Sequence, residues 1–330
     1  MSELLCSYDK RIFVKVVHSD IEALYKKQRK NSWPESDVNF AMDELNWPKV
    51  DLATQNYICH ILSFSLVSDS LVNDNLLVNL MRDINEPSAM AFLAEQYSNE
   101  IVHQRTYSIM LSKIERDPER VNRLRHPEEN YPGIAAKIGW INKFIQEDCS
   151  LARRLTGNAL LEGISFSSLF GGFYYIKHRA LGLDGLVQAN ELIAGDEMLH
   201  CIFSLTLLKY VSEPLTREDV VEMVRSIVDV ELAFVHESIP QPMESGLDAD
   251  VMTRYVKHIA NRVCRVLLVK PINNQEHEFC GNIYSDNETG NLPDWLVRNQ
   301  GIDNFTLFFD RQPTEYQQVE GDFELDSDSE

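Results

Sequence analysis

The sequence is poor in positive charge, has no paired cysteines and has no long apolar run, and each shortage removes a class of protein. It carries 31 Lys and Arg against 51 Asp and Glu, a net charge of −20. A protein this acidic repels phosphate backbones, which argues against nucleic acid as a partner. Its six cysteines, Cys6, Cys59, Cys149, Cys201, Cys264 and Cys280, form no Cys-x-x-Cys pair. Several lie within apolar helical patterns, where a free thiol packs as a small hydrophobe. That usage points to a reducing compartment with no disulfide framework. No apolar stretch reaches membrane-spanning length, and Met1 to Lys10 lacks the hydrophobic region of a signal peptide. There is no Gly-rich phosphate loop, internal repeat or convincing run of strands. The expectation is a cytoplasmic protein (host cytoplasm if the source is viral) with neither membrane nor nucleic acid among its partners.

What is present is helix. Leu52 to Asp83 repeats apolar residues at spacings of three and four (Ile58, Ile61, Leu62, Leu66, Val72, Leu76). Asn85-Glu86-Pro87 reads as a break and a helix start, and Asp117-Pro118 as the end of the helix that follows. Ile134 to Ala180 is long and mostly apolar, with Gly157 read as a joint between two helices. Leu183-Asp184-Gly185 reads as a turn before a helix from Leu186 to Val211. Thr216 is an N-cap for a helix to about Glu237, and Ala249 to Val269 is a last amphipathic helix. After Lys270 periodicity fades into Pro, Asn, Gly and acid. The division expected is an N-terminal segment 1–30, a helical body 31–270 and an irregular segment 271–330 with a flexible acidic end.

Polar residues interrupt the buried stripes of these helices. Asp69 follows Leu62 and Leu66 on one face. Glu100 and His103 stand three apart and so share a helix side, as do Glu197 and His200. Glu162 falls on a stripe that continues through Phe166 and Phe170. Taken singly, Glu100 with His103 reads equally as a surface pair, and Asp69 as an internal polar residue bonded to a neighbour. Together, four helices each place a ligand-type residue on a buried face, where an unpaired carboxylate is costly. Two Glu-x-x-His pairs plus a carboxylate from each of two other helices match the di-iron pattern of ferritin-like bundles.

At this point the sequence resembles the small, radical-generating subunit of class I ribonucleotide reductase, on its eukaryotic and viral branch. The resemblance runs from about Lys10 to Asp328. It is carried by HSDIEALYKKQRKNSW (18–33), SFSLVSDSLVNDNL (63–76), NEIVHQRTYS (99–108), LEGISFSSLF (161–170), NELIAGDEMLHC (190–201) and FFDRQPTEYQ (308–317). It implies an all-α ferritin-like bundle and a centre of two iron ions, with manganese the alternative metal. Asp69, Glu100, His103, Glu162, Glu197 and His200 would be the six ligands. Dioxygen would be activated there, leaving a stable radical on Tyr107, with Phe166 and Phe170 shielding it. Trp33, Asp196 and His103 would carry the electron path, with Asp196 orienting His103, and Tyr316 would relay the radical between subunits. The partners implied are the large subunit, which reduces ribonucleotides, and a second copy in a homodimer. Phe323, Leu325, Asp326 and Asp328 would lie in the peptide that docks into the large subunit.

The sequence departs from the family pattern in three places. Gly195 stands where an arginine usually precedes the Asp-Glu of the last ligand helix. Ser329-Glu330 replace the terminal Phe of eukaryotic tails, and the tail after Tyr316 is short. Two other readings use the same scaffold: a di-metal oxidase or ferroxidase, which needs neither Trp33, Tyr316 nor a docking tail, and a degenerate, non-catalytic regulatory subunit.

Overall fold

The computed structural model describes residues 16–146, 149–268 and 282–297, and among these there is helix and no strand. Tyr316, Phe323, Leu325, Asp326 and Asp328 lie outside the described residues, as do Cys6, Cys280 and the 308–317 segment. The helices are α1 (Ser19–Lys30), α2 (Ala41–Asn46), α3 (Leu52–Asn75), α4 (Met81–Asp83), α5 (Pro87–Ile114), α6 (Pro118–Arg125), α7 (Pro132–Gln146), α8 (Leu151–Leu160), α9 (Ser167–Arg179), α10 (Asp184–Leu207), α11 (Arg217–Ser238), α12 (Ala249–Leu268), α13 (Asp286–Thr289) and α14 (Asp294–Val297).

Local chemistry explains most of the boundaries. Asp51 accepts the Thr54 N–H at the start of α3, and Glu86 accepts the Ala89 N–H where Pro87 opens α5. Thr216 and Asp219 form a reciprocal capping box that opens α11, where the pattern placed it. Asp117 does not end α5, which stops at Ile114; it caps α6, whose first residue is Pro118. Gly157 is no joint either. It sits buried inside α8, and the apolar run breaks instead before Ser150, the cap of α8, and again where a π-helical segment, Leu161–Ser165, separates α8 from α9. A second π segment, Leu76–Leu80, joins α3 to α4. The turn before α10 lies at Ala180 and Gly182, both with positive φ.

Helix α10 has no cap of its own. Asp43 of α2, fully buried, accepts the N–H groups of Gly185 and Leu186 at 2.9 and 2.7 Å and places a carboxylate at the positive end of the helix. Position 185 requires glycine, because a Cβ there would stand 2.5 Å from the Asn39 carbonyl oxygen. The middle of α3 (Tyr57–Ser65) and α9 up to Ile176 are covered on every side. Around them α5 packs on α3 and α1, α10 on α8 and α9, and α11 on α7 and α12. The acidic and imidazole residues singled out in the sequence lie inside this bundle.

Candidate metal centre

Helix α5 projects Glu100, His103 and Tyr107 inward at steps of three and four. Asp69 comes from α3, Glu162 from the π segment, and Glu197 and His200 from α10. All six acid and imidazole side chains are buried, none more than 4% exposed. Their donor atoms form two groups within 4.8 Å, one of Glu100, Glu162, Glu197 and His200, the other of Asp69, Glu100 and His103, so Glu100 is common to both. His103 Nδ1 lies 3.1 Å from Glu197 and 3.4 Å from Glu100; His200 Nδ1 lies 2.8 Å from Glu197 and 3.0 Å from Glu100.

The protein alone does not satisfy these groups. Asp69 Oδ2, Glu100 Oε1, Glu162 Oε2 and His103 Nδ1 are buried without a hydrogen-bond partner. Leaving such atoms unmet is costly, and four carboxylates in one pocket repel each other. Burial, with Glu100 and Glu197 adding to it, pushes the carboxyls of Asp69 and Glu162 well above the usual range. Burial also opposes charge on Glu100, but His200 and His103 override it and hold that carboxyl down at about 2. Against burial, the carboxylates hold His103 well above the ordinary imidazole value and raise His200 to about 9. Four oxygen-donor acids and two imidazoles around two overlapping positions fit two divalent cations, whose four charges would balance the carboxylates.

Each imidazole is held from behind. His103 Nε2 meets Asp196 Oδ2 at 3.1 Å, and the same oxygen accepts Trp33 Nε1–H at 2.9 Å. The Trp33 and His103 rings lie 5.9 Å apart at 21°. His200 Nε2 sits 3.2 Å from the Gln28 amide nitrogen, while Gln28 Oε1 is buried and unpartnered. With Nδ1 donating to the acids and the ring held protonated, its value raised to about 9, Nε2 carries a hydrogen as well. A half-turn of the Gln28 amide then brings Oε1 to accept it. Gln96 donates to Glu162 Oε1 at 3.1 Å. Tyr107 is 2% exposed and donates to Asn190 Oδ1 at 3.1 Å, an orientation set by the Asn190 amide donating to the Leu186 carbonyl. Burial, then the charges of Asp69 and Glu197, raise the Tyr107 phenol well above its usual value. Phe166 and Phe170 are buried on the Glu162 side, with ring centres 6.2 Å apart. Phe170 also lines a cavity of about 410 Å³ that includes Glu162, Glu197 and the exposed Gly195.

Residues 11–279 match the family model described as ribonucleotide reductase, small chain. A ribonucleoside-diphosphate reductase small chain from Arabidopsis thaliana is 31% identical over 304 residues, covering 92% of this sequence and 84% of that protein. The Variola virus small chain is 29% identical, covering 95% of each. The chain belongs to the ribonucleotide reductase small-chain family. The fold agrees. The Rnr4 homodimer structure from Saccharomyces cerevisiae has a TM-score of 0.73 at 23% identity, covering 84% of this sequence and 90% of that one. The dimanganese(II)-NrdF structure from Streptococcus sanguinis has a TM-score of 0.73 at 14% identity, covering 89% and 99%. This ribonucleotide reductase small subunit is thus an all-α ferritin-like bundle, as the resemblance implied, with a buried Glu/His cluster able to hold metal. Sequence reasoning placed Gln96 on the stripe of Glu100, His103 and Tyr107 but gave no role to it, to Gln28 or to Asn190, which bond to the cluster and to Tyr107. Gln28 and Asn190 stood in quoted stretches without being singled out, because amides carry no charge to mark them on an apolar stripe.

Proposed function

We propose that this small subunit serves ribonucleoside-diphosphate reductase by holding two iron ions, with manganese the alternative, on Asp69, Glu100, His103, Glu162, Glu197 and His200 and by storing an oxidising equivalent as a radical on Tyr107. The observation that carries the reading is Glu100, common to both donor groups, on the same helix and face as His103 and Tyr107. When bound, the metal pair would supply the activation of dioxygen and the one-electron oxidant for the tyrosine. The protein's own residues do the rest. Burial and the Asn190 amide hold the Tyr107 hydroxyl away from solvent, and the phenyl rings of Phe166 and Phe170 fill space on the Glu162 side. Asp196 holds His103 and Trp33 in one hydrogen-bonded series that leads from the cluster toward the partly exposed Trp33.

In the same reading the radical leaves by His103, Asp196 and Trp33 and passes by Tyr316 to the large subunit. The segment with Phe323, Leu325, Asp326 and Asp328 docks there, its alternating apolar residues acting as anchors. The helical body 31–270 would carry the chemistry, between segment 1–30 and the irregular segment 271–330, whose acidic tail docks. The working unit would be a homodimer in the cytoplasm; among the described residues no helix is long and apolar enough to cross a membrane.

The test is to add ferrous iron and air to the metal-free protein and record the electron paramagnetic resonance spectrum. A tyrosyl signal that disappears in Tyr107→Phe is the expected result. Iron uptake with no radical in the unaltered protein would favour an oxidase or ferroxidase, and no uptake at all would remove the ligand assignment.

A further inference from the structure

Away from the cluster, the structure buries an ion pair that the chemistry above does not use. Lys137 of α7 and Glu231 of α11 are both fully buried, with Nζ 2.6 Å from Glu231 Oε2. The ammonium lies between two rings, 3.6 Å from the centre of Phe64 and 4.2 Å from that of Phe234. It also donates to the Ser165 carbonyl at 2.6 Å. The other Glu231 oxygen accepts the Ser168 N–H at 3.1 Å and the Ser168 hydroxyl. The pair therefore grips both sides of one backbone feature. Ser165 is the last residue of the π segment, and Ser168 is the second residue of α9. Between them Phe166 stands at the edge of the right-handed helical region, with φ −93° and ψ −3°.

Packed apolar side chains are as stabilising as a buried ion pair, or more so, so stability alone does not call for one. A π-to-α junction leaves backbone groups outside the regular hydrogen-bond ladder, and the first N–H groups of α9 have no partner within the helix. A carboxylate at that helix start and an ammonium on the preceding carbonyl fix where the junction sits. Glu162 lies three residues before Ser165, within the gripped segment. Phe166, the junction residue, packs against Phe64 with ring centres 5.7 Å apart. Phe64 lies on α3, the helix that supplies Asp69.

We propose that Lys137 and Glu231 are positioning residues for the metal centre, clamping the π segment so that Glu162 points into the group it forms with Glu100, Glu197 and His200. The inference rests on reading the acidic cluster as a two-metal site. It predicts an asymmetric defect, because Glu162 belongs to one donor group and not to the one formed by Asp69, Glu100 and His103.

The experiment is a Co(II) titration of the metal-free, full-length protein, followed by absorption and calorimetry. The variants are Lys137→Met with Glu231→Met, which keeps volume and removes both charges together, and Glu231→Gln alone, which keeps the shape and removes one charge. The unaltered protein should bind two Co(II). In the double variant, with its thermal midpoint near that of the unaltered protein, one Co(II) should bind as before and the other about 10- to 100-fold more weakly. If the double variant does not fold, Glu231→Gln should weaken the same single ion. Two ions bound at unaltered affinity in a folded variant would overturn the clamp, and so would equal weakening of both. Failure of the unaltered protein to bind two Co(II) would remove the two-metal reading itself, and the clamp with it.

Discussion

His103 and His200 start from the same Glu-x-x-His spacing, are fully buried and turn Nδ1 toward the same carboxylates, yet their Nε2 atoms meet different partners. Behind His103 is a carboxylate that also holds Trp33, a partly exposed residue. Behind His200 is Gln28, a buried neutral amide on α1. A carboxylate stabilises positive charge on the imidazole and links it to the next group, whereas an amide orients the ring and ends the series. Two halves that look equivalent in sequence thus differ in what they connect to. One leads outward and the other is closed.

The sharpest way to break this contrast is Asp196→Asn, which keeps the shape and removes the charge. Turnover with the large subunit should fall by about 100-fold, at the upper end for an outer partner of a metal ligand. Tyrosyl radical yield after iron and air should change far less, since Asp196 lies outside both donor groups. Equal loss of radical yield and turnover would show that the outward half serves assembly of the centre and not transfer. On the closed half, Gln28→Leu should cost about one neutral hydrogen bond, roughly a fivefold loss in affinity for one metal ion by calorimetry. It should leave transfer from an assembled radical unchanged.

Proton release on metal loading tests what the halves share. Burial and neighbouring acids push the Asp69 and Glu162 carboxyls upward, and the carboxylates raise both imidazoles, His200 to about 9. Glu100, held at about 2, contributes no proton at neutral pH. A group raised above neutral pH holds a proton that a metal ion must displace, so metal affinity should rise with pH through the neutral range. An indicator in weak buffer should register at least about two protons released per metal pair. Loading without proton release would mean that the free site is already fully deprotonated.

How much of this was legible depended on the range of the interaction. The two Glu-x-x-His pairs were readable because both members lie on one helix, and Asp69 and Glu162 because charge on an apolar stripe is conspicuous. Gly157 misled because glycine was read as a break, whereas the helices break where Ser150 caps one and where a π turn widens another. Glu162 is buried, but it lies within a π turn that, with the junction residue Phe166, interrupts the regular helical spacing to Phe170. The Gln28, Asn190 and Lys137–Glu231 contacts span 172, 83 and 94 residues, and no local pattern encodes which distant helix face will arrive. Trp33, Asp196 and His103 are equally remote in sequence, and only the family resemblance linked them before the structure brought them together.

The smallest effect should come from Gly195, the neighbour of Asp196, where the family resemblance leads one to expect an arginine. It lies inside α10, is exposed and has no positive φ, and a Cβ there would meet nothing within 4 Å. Neither conformation nor packing requires glycine at this position. In a helix interior glycine costs about 0.5–1 kcal/mol relative to alanine, mainly through backbone entropy. Gly195→Ala should therefore stabilise the metal-free protein by that amount, a rise of roughly 2 °C in thermal midpoint. Because the added methyl group meets no side chain of the cluster within 4 Å, radical yield and turnover should stay within about twofold. A clear loss of turnover with unchanged radical yield would place position 195 in the outward half, and the contrast between the two imidazoles would then extend one residue further along α10.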